Sequence, residues 1–355
     1  PSSGSSRTCG SDVRAGLLLW LATAAALVGV VALGPGRWWV VVASAVGTAC
    51  LVASRYVRVR RALVLATGAL VLGSAVVTWR VVPLLDSPLV GLAGTRASVE
   101  VVLTATGDAT TRSGRTSGSR RTDDEWQLDA ALTSVRTSDG TVTALDLPVR
   151  SLTTDDVARV LPGTVLEGRA RVLPGDALRG RAATLLLSSI QLRAGPPAVQ
   201  GIAGALRSSL RGSVADRPPD EAGLLPGLVV GDTSRVPDDL DRAMRDSGLA
   251  HLTAVSGGNV AVIVLLALAA VRAAGVHRGR LQVVLVGAVV AAYVVVARPE
   301  PSVVRAAAMT AVVLGAVLLD VRVRAPDALG IAVAALVLLD PFLALSVGFA
   351  MSTAA

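Results

Sequence analysis

Long apolar runs, with charged residues kept to their ends, constrain this chain more than any other feature. They lie at residues 17–33, 38–53, 62–82, 251–274, 281–297, 303–319 and 328–339, with a further one starting at Pro341. A helix needs about 20 apolar residues to cross a bilayer. The runs therefore predict a multi-pass α-helical membrane protein.

The composition excludes some classes of protein and of catalytic chemistry. Hydrophobic residues make up 52% of the chain and charged residues 17%, as expected for membrane helices with a soluble insert. The printed sequence contains no Lys, so all 34 basic residues are Arg. Without Lys there is no Walker A loop and no Schiff-base enzyme. We do not take the net charge of +8 as evidence for nucleic-acid binding, because Arg-only usage in an Ala- and Val-rich chain indicates codon bias.

A β domain is predicted between the two sets of apolar runs. Short runs rich in β-branched residues recur at 97–106, 126–137, 141–152, 165–173 and 182–192, and the Asp139-Gly140 turn joins the second to the third. Five strands in about a hundred residues favour a small, partly open β-barrel of the OB type, with a sandwich as the alternative.

The segment RSGRTSGSRR, residues 112–121, is predicted as a flexible basic loop of this domain. Its side chains at Arg112, Arg115, Arg120 and Arg121 could contact phosphates. Residues 83–200 nevertheless carry 13 Arg against 13 Asp and Glu, a net charge of zero. A solvated connector is therefore the alternative interpretation.

The distribution of Arg predicts the orientation. Arg55, Arg58, Arg60 and Arg61 form the densest basic connection, which should be cytoplasmic. The amino terminus is then cytoplasmic and the β domain extracytoplasmic. On this topology the cytoplasmic ends and loops carry 11 Arg, and the short outer connections carry four.

Two segments link the β domain to the later helices. From residue 201, Ile202, Leu206, Leu210 and Val214 recur every four residues, with Arg207 and Arg211 beside them, as in an amphipathic helix lying on a membrane. The apolar stretch 224–232 is too short to span and is predicted to re-enter or pack against helices. We therefore divide the chain into 1–82 (three transmembrane helices), 83–200 (β domain), 201–250 (interfacial segment) and 251–355 (transmembrane core).

A polar cluster marks the entrance to that core. His251, Thr253, Ser256 and Asn259 stand at the start of a long apolar run. Polar side chains that enter hydrocarbon are costly unless they pair or line water, so the cluster is a candidate site.

These residues lie within a longer motif. The stretch LLPGLVVGDTSRVPDDLDRAMRDSGLAHLTAVSGGNVAV, residues 224–262, resembles the signature of the ComEC competence proteins. The later segments PSVVRA, residues 301–306, and DP followed by GFAMS, residues 340–352, also resemble it. The resemblance covers nearly the whole chain.

The resemblance implies transport of single-stranded DNA across the bacterial plasma membrane during natural transformation. It also implies an external DNA receptor and a cytoplasmic helicase-like motor as partners, with membrane lipid around the helices. Whether copies form a homo-oligomer stays open. Many members have His where this chain has Asn259. Because Asn does not titrate, this chain has no titratable group at that position. Many also carry a metallo-β-lactamase-like nuclease domain whose His ligands are missing here, so we expect no metal, no cofactor and no catalytic residues.

Each candidate pathway residue has an alternative role. Asp232 could cap a helix or pair with Arg235, and His251 could be structural. Ser256 departs from the Gly-x-Ser-x-Gly nucleophile elbow, because Ala254 occupies the first Gly position. Arg305 could contact DNA phosphates, pair with Glu300 or reach the outer interface.

Two other function classes fit the sequence less well. A small-molecule or ion permease with a sensing β domain would show inverted repeats, which are not evident. A membrane anchor for a nuclease would need a catalytic domain missing here. The chain begins at Pro1 without Met and ends at Ala355 within an apolar run, so we expect a fragment of a longer protein.

Overall fold

The computed structural model describes residues 11–55, 60–95, 98–112, 116–117, 120–121, 125–137, 140–247, 257–277, 279–299 and 301–354. The chain divides into two units. One comprises Pro1–Arg80 together with Val214–Ala355, and the other comprises Val81–Ser213. The first contains most of the apolar helices, and the second contains the sheet.

Three long helices come first in the chain. They are α1 (Ser11–Leu33), α2 (Pro35–Arg55) and α3 (Arg60–Leu85). Gly34 turns the chain between α1 and α2 with a φ of 82°, a conformation that glycine adopts without strain. Pro35 then begins α2, where its missing N–H is not needed.

Small residues bring these three helices close together. A Cβ on Gly29 would lie 2.1 Å from the ring of Trp38, and a Cβ on Gly73 would lie 2.8 Å from Thr23 Oγ1. The Trp38 indole N–H donates to Ser74 Oγ at 3.0 Å, and Ser74 is fully buried. Close backbone approach and polar contacts of this kind stabilise helix pairs in a membrane.

The second unit begins with the end of α3, a short helix α4 (Pro88–Thr95), and a set of strands. The strands are β1 (Ser98–Ala105), β2 (Thr110–Arg112), β3 (Thr116–Ser117), β4 (Arg120–Arg121), β5 (Glu125–Arg136), β6 (Val142–Thr153), β7 (Val165–Pro174) and β8 (Ala183–Ala194). The five long strands match the five predicted ones closely, which confirms that part of the prediction. Gly140 has a φ of 84° between β5 and β6, while Asp139 of the predicted turn lies outside the described residues.

The sheet has the order β1-β7-β8-β6-β5-β2, and β1 also pairs with β5. The five long strands are therefore hydrogen-bonded in a ring. Among these pairs, β6 and β8 run parallel, and β1 is antiparallel to both of its neighbours. Alternate residues of the strands point inward and are buried, among them Val101, Leu103, Leu128, Leu132 and Leu185.

The segment predicted as a flexible basic loop contains strand pairing. Arg112 ends β2, which continues the ladder of β5 opposite Glu125. Arg120 and Arg121 form β4, which pairs with Ser117 and Thr116 of β3. Local backbone pairing thus orders parts of a stretch whose Gly and Ser content indicated only irregular structure.

Helix α5 (Ala198–Ser213) ends the second unit. The face of α5 that carries its small residues and Arg207 packs against the β domain. Ala203 and Arg207 are buried, and a Cβ on Gly204 would lie 2.7 Å from Leu161. The Arg207 guanidinium pairs with the Asp108 carboxylate at 3.3 Å.

The apolar stripe of α5 lies on the opposite side. Val199, Ile202 and Leu206 are 61%, 63% and 54% exposed. The predicted amphipathic helix therefore forms, but Arg207 is buried in its own unit rather than beside the apolar stripe. The sequence period could not show this, because Arg207 is turned inward by a specific partner from the β1–β2 connection.

The remaining helices belong to the first unit. They are α6 (Pro219–Val230), α7 (Asp238–Asp246), α8 (Gly257–Ala273), α9 (Arg280–Ala297), α10 (Pro301–Leu318), α11 (Ala325–Leu339) and α12 (Val347–Ala354), with a 3₁₀ turn at Pro341–Leu345 before α12. α8, α9 and α10 pack around Val260, Val290 and Val303.

Helix α1 packs against this later part of the chain. A Cβ on Gly16 would lie 2.4 Å from the carbonyl oxygen of Gly330, so α1 and α11 touch backbone to backbone. The Trp20 indole donates to the Ala344 carbonyl at 3.0 Å, and its ring meets Phe349 edge to face. Residues more than 300 positions apart thus share one core.

Among the described residues, three helices are long and apolar enough to cross a membrane: residues 14–33, 62–85 and 280–297. Shorter apolar helices cover 257–273, 302–318 and 325–339. Helix α2 is in neither group among the described residues. Its crossing stays a prediction. These helices and the sheet fit a helical membrane protein with a β domain.

Candidate functional site

The carboxyl end of α6 is the centre of the candidate site. Gly231 ends the helix with a φ of 70°, and its N–H donates back to the Gly227 carbonyl at 2.9 Å. This left-handed residue is the usual way to stop a helix and redirect the chain. The last carbonyls of α6 remain to be satisfied, because the end of a helix has no following turn.

Two side chains from neighbouring helices satisfy those carbonyls. Asn259, in the first turn of α8, donates through Nδ2 to the Leu228 carbonyl at 2.7 Å. The Tyr293 hydroxyl of α9 donates to the Val229 carbonyl at 2.8 Å. The two polar groups therefore join α6, α8 and α9. Asn259 was predicted to face a lumen, and the structure gives it this definite partner.

Asp232 follows directly after the end of α6 and is buried. Its Oδ1 accepts from the Ser234 hydroxyl at 2.6 Å and from the Ser234 backbone N–H at 3.2 Å. A carboxylate that accepts from the backbone two residues later forms an Asx turn. The side chain of Asp232 thus shapes the turn between α6 and α7.

Arg305 lies in the second turn of α10, against the start of α8. A Cβ on Gly257 would lie 3.8 Å from Arg305 Nη2 and 3.6 Å from the Ala306 Cβ. The Nε atom of Arg305 is buried and makes no hydrogen bond within the part of the chain that the structure describes. A guanidinium with an unsatisfied buried N–H beside the positive end of a helix dipole is suited to an anion.

Three of the five predicted pathway residues thus gather around α8. Asn259 and Arg305 both lie at its amino-terminal end, and Asp232 follows the α6 end that Asn259 holds. His251 and Ser256 lie outside the described residues. The predicted Arg305 pairing with Glu300 also involves a residue outside them.

The predicted basic residues of the β domain lie close together along the chain between β1 and β5. Arg112, Arg120 and Arg121 occupy backbone positions in β2 and β4, and Arg115 is outside the described residues. Within the same unit, Arg150 and Arg181 both bind Asp129, with Nε to Oδ1 at 3.3 Å and Nη2 to Oδ2 at 3.0 Å. Two guanidinium groups on one carboxylate leave a local positive charge.

Sequence reasoning missed Tyr293 and the pair Arg150 and Arg181. Tyr293 had one usable signal, because it is a polar-tipped residue within an otherwise apolar helix. The arginines had none, since Asp129, Arg150 and Arg181 lie on different elements and meet only through the strand order β5-β6-β8.

Comparison with known proteins identifies the region that contains this site. The profile of the family described as "Competence protein" matches residues 228–355, which begin at the carbonyl that Asn259 binds. ComE operon protein 3 of Bacillus subtilis (strain 168) is 32% identical over 137 residues. That alignment covers 39% of this chain but 18% of the relative's length. No solved structure matches the chain significantly. The resemblance to the competence proteins is confirmed for residues 228–355.

Proposed function

We propose that this chain conducts single-stranded DNA across the bacterial plasma membrane during natural transformation, because residues 228–355 match the profile of the competence-protein family. The family match supports a role in competence and DNA uptake. The conducting route and the polymer it carries are the proposal.

The proposal follows from the charge of the cargo. Single-stranded DNA carries one negative charge per nucleotide, and a charge at the bilayer centre costs at least about 2.5 kcal/mol. The strand therefore needs a wet, polar-lined route. Contacts along such a route must be weak and distributed, because a conduit also has to release the strand that it binds.

The placement of Arg305 is the observation on which the proposal rests. Its guanidinium lies within an apolar helix, with its Nε unsatisfied among the described residues, against the amino-terminal end of α8. The guanidinium and the amino-terminal end of α8 both attract a phosphate. Neither supplies enough hydrogen-bond donors to bind it tightly. Asn259 and Tyr293 hold α6 beside this point, and His251 and Ser256 are proposed to complete the lining.

The β domain is proposed to be an OB-like barrel that engages the strand outside the membrane. Its support is the ring of five strands with a parallel β6–β8 pair. In an OB fold, the second and third strands and the loops after the first and fourth strands bind oligonucleotides. The corresponding parts here are β5, β6, the Arg-rich 106–124 connection and the 175–182 connection that carries Arg181.

The proposed topology keeps the amino terminus in the cytoplasm and the β domain outside, as the Arg distribution predicts. The exposed apolar stripe of α5 would then rest on the outer leaflet, with Arg211 and Arg217 at headgroup level. An external DNA receptor, a cytoplasmic helicase-like motor and assembly into a homo-oligomer belong to this proposal too.

The test uses a transformable host in which the full-length gene complements a deletion of its own. Arg305→Leu should reduce nuclease-resistant uptake of labelled DNA to the level of the deletion strain, while protein abundance stays normal. Arg305→Lys should retain much of the uptake, because it keeps the charge. Met309→Leu, one turn further along α10, is the matched control and should behave as wild type. Full uptake by Arg305→Leu would refute the assignment.

A further inference from the structure

An apolar crevice of about 360 Å³ opens between α1, α3 and α11 and is open along one side. Every residue that lines it is Gly, Ala, Val, Leu or Ile. Each helix contributes one glycine to the lining, Gly16, Gly68 and Gly330. A Cβ on Gly68 would meet no atom within 4 Å.

Water is a poor occupant for this crevice. A space without polar groups gives water no hydrogen-bond partners, and enclosed apolar cavities stay dry and accept small hydrocarbons. Two of the three walls of this crevice are helices long and apolar enough to cross a membrane. Its open side therefore faces the hydrocarbon of the bilayer, and lipid acyl chains can enter it.

The three helices begin at the same end of the crevice. α1 and α3 run parallel, since Gly16 and Thr23 of α1 lie level with the crevice residue Gly68 and with Gly73 of α3. α11 runs the same way, because Gly330 contacts Gly16 near its start and the Leu339 carbonyl at its end accepts from Arg80 of α3 at 2.8 Å.

Basic residues cluster at that end. Arg14 immediately precedes the crevice residues of α1, Arg324 precedes the first residue of α11, and α3 begins with Arg60 and Arg61. The positive ends of three helix dipoles lie there as well. Among the described residues of these three helix starts, acidic residues are fewer, with Asp12 in the first turn of α1 and Asp327 in the first turn of α11. The basic residues at this end can bind an anionic lipid headgroup, and the adjoining apolar crevice can hold its acyl chain.

We propose that this crevice binds an acyl chain of an anionic phospholipid, with the headgroup at the starts of α1, α3 and α11. On the Arg-based topology this lipid belongs to the cytoplasmic leaflet. The lipid fills the space between the amino-terminal helices and α11 of the family domain, and so joins regions that are distant in sequence. This inference is independent of the DNA route at α8.

The experiment uses the full chain in vesicles that contain phosphatidylglycerol or phosphatidylcholine with a photoreactive group on the acyl chain. Wild-type protein should be labelled in the peptides that contain residues 15–19, 64–72 and 330–334, more strongly with phosphatidylglycerol. Gly68→Leu places a side chain in the crevice, where its Cβ meets no atom within 4 Å, and should reduce this labelling to background. Gly47→Leu in α2, where a Cβ also meets no atom within 4 Å, is the matched control and should label normally.

Two further readouts complete the test. Arg14→Gln should remove much of the preference for phosphatidylglycerol while total labelling persists. Equal labelling of Gly68→Leu and Gly47→Leu would overturn the proposal. A change in oligomeric state by Gly68→Leu without any wild-type lipid labelling would assign the crevice to a second copy, and would overturn it too. Normal helicity of each variant by circular dichroism shows that the fold is intact.

Discussion

Asn259 shows what one residue contributes to this site. Its amide donates to the Leu228 carbonyl, at the first position of the family match. Removing the donor leaves a carbonyl at a helix end without its partner, which is costly in hydrocarbon because no water replaces the donor. The residue therefore acts on the position of α6 as well as on the polarity of the proposed route.

We expect Asn259→Leu to lower the thermal stability of the purified chain and to reduce DNA uptake. Asn259→His should retain most of both, because an imidazole N–H can donate to the same carbonyl. Differential scanning of the detergent-solubilised protein and uptake of labelled DNA are the measurements. Equal losses of stability and uptake in the Leu and His variants would show that the hydrogen-bond donor at this position is not responsible for them.

Tyr293 offers a second single-atom test. Tyr293→Phe removes only the hydroxyl that donates to the Val229 carbonyl. We expect a stability loss of about 1 kcal/mol, typical of one net hydrogen bond. The melting temperature of the Phe variant measures it, and an unchanged value would mean that the Val229 carbonyl finds another donor.

At the scale of elements, an ion pair contributes to the attachment of α5. Arg207 is 6% exposed and pairs with Asp108, whose side chain is 32% exposed. Breaking a fully buried pair from one side costs about 3–5 kcal/mol, and the cost here is smaller because water can reach the Asp108 carboxylate. Arg207→Leu should therefore release α5 and destabilise the β domain. Proteolysis of the full chain between β8 and α6 should accelerate strongly, whereas Ser209→Ala at an exposed position of α5 should have no effect.

The contact between α1 and α11 is the second element to test. Gly16→Leu places a side chain where the Gly330 carbonyl already lies, so the helices must separate. Gly36→Leu in α2 has open space and serves as the control. We expect Gly16→Leu to lower the melting temperature and the yield of folded protein, and the control to stay near wild type. A wild-type melting curve for Gly16→Leu would mean that α1 is not held at α11.

The same elements show which parts of the fold the sequence could predict. The strands from β5 to β8 were predictable because alternation and turn residues act over a few positions. The inward turn of Arg207 and the capping of α6 by Asn259 and Tyr293 were not, because they depend on partners from other elements. At the site, the motif indicated Asn259 and Arg305, but only the packing of α8 on α10 shows that Arg305 meets Gly257.

For the whole molecule, the Arg distribution predicts which side of the membrane each part occupies. In a chain with Cys9 and Cys50 replaced by Ser, Ser188→Cys on β8 should react with an impermeant maleimide added to intact spheroplasts. Ala274→Cys, between α8 and α9, should react only after lysis. Both positions are exposed in their own units. Labelling of both from the same side would contradict the topology.

The central claim is that DNA passes the amino-terminal end of α8, and site-specific crosslinking tests it most directly. A photoreactive amino acid replaces Gly258, which is exposed beside Gly257, or Leu21 of α1, which is 59% exposed. The full-length protein is illuminated during uptake of labelled DNA. We expect adducts with a single strand at position 258 and none at position 21. Continued uptake with no adduct at position 258, or equal adducts at both positions, would contradict the account.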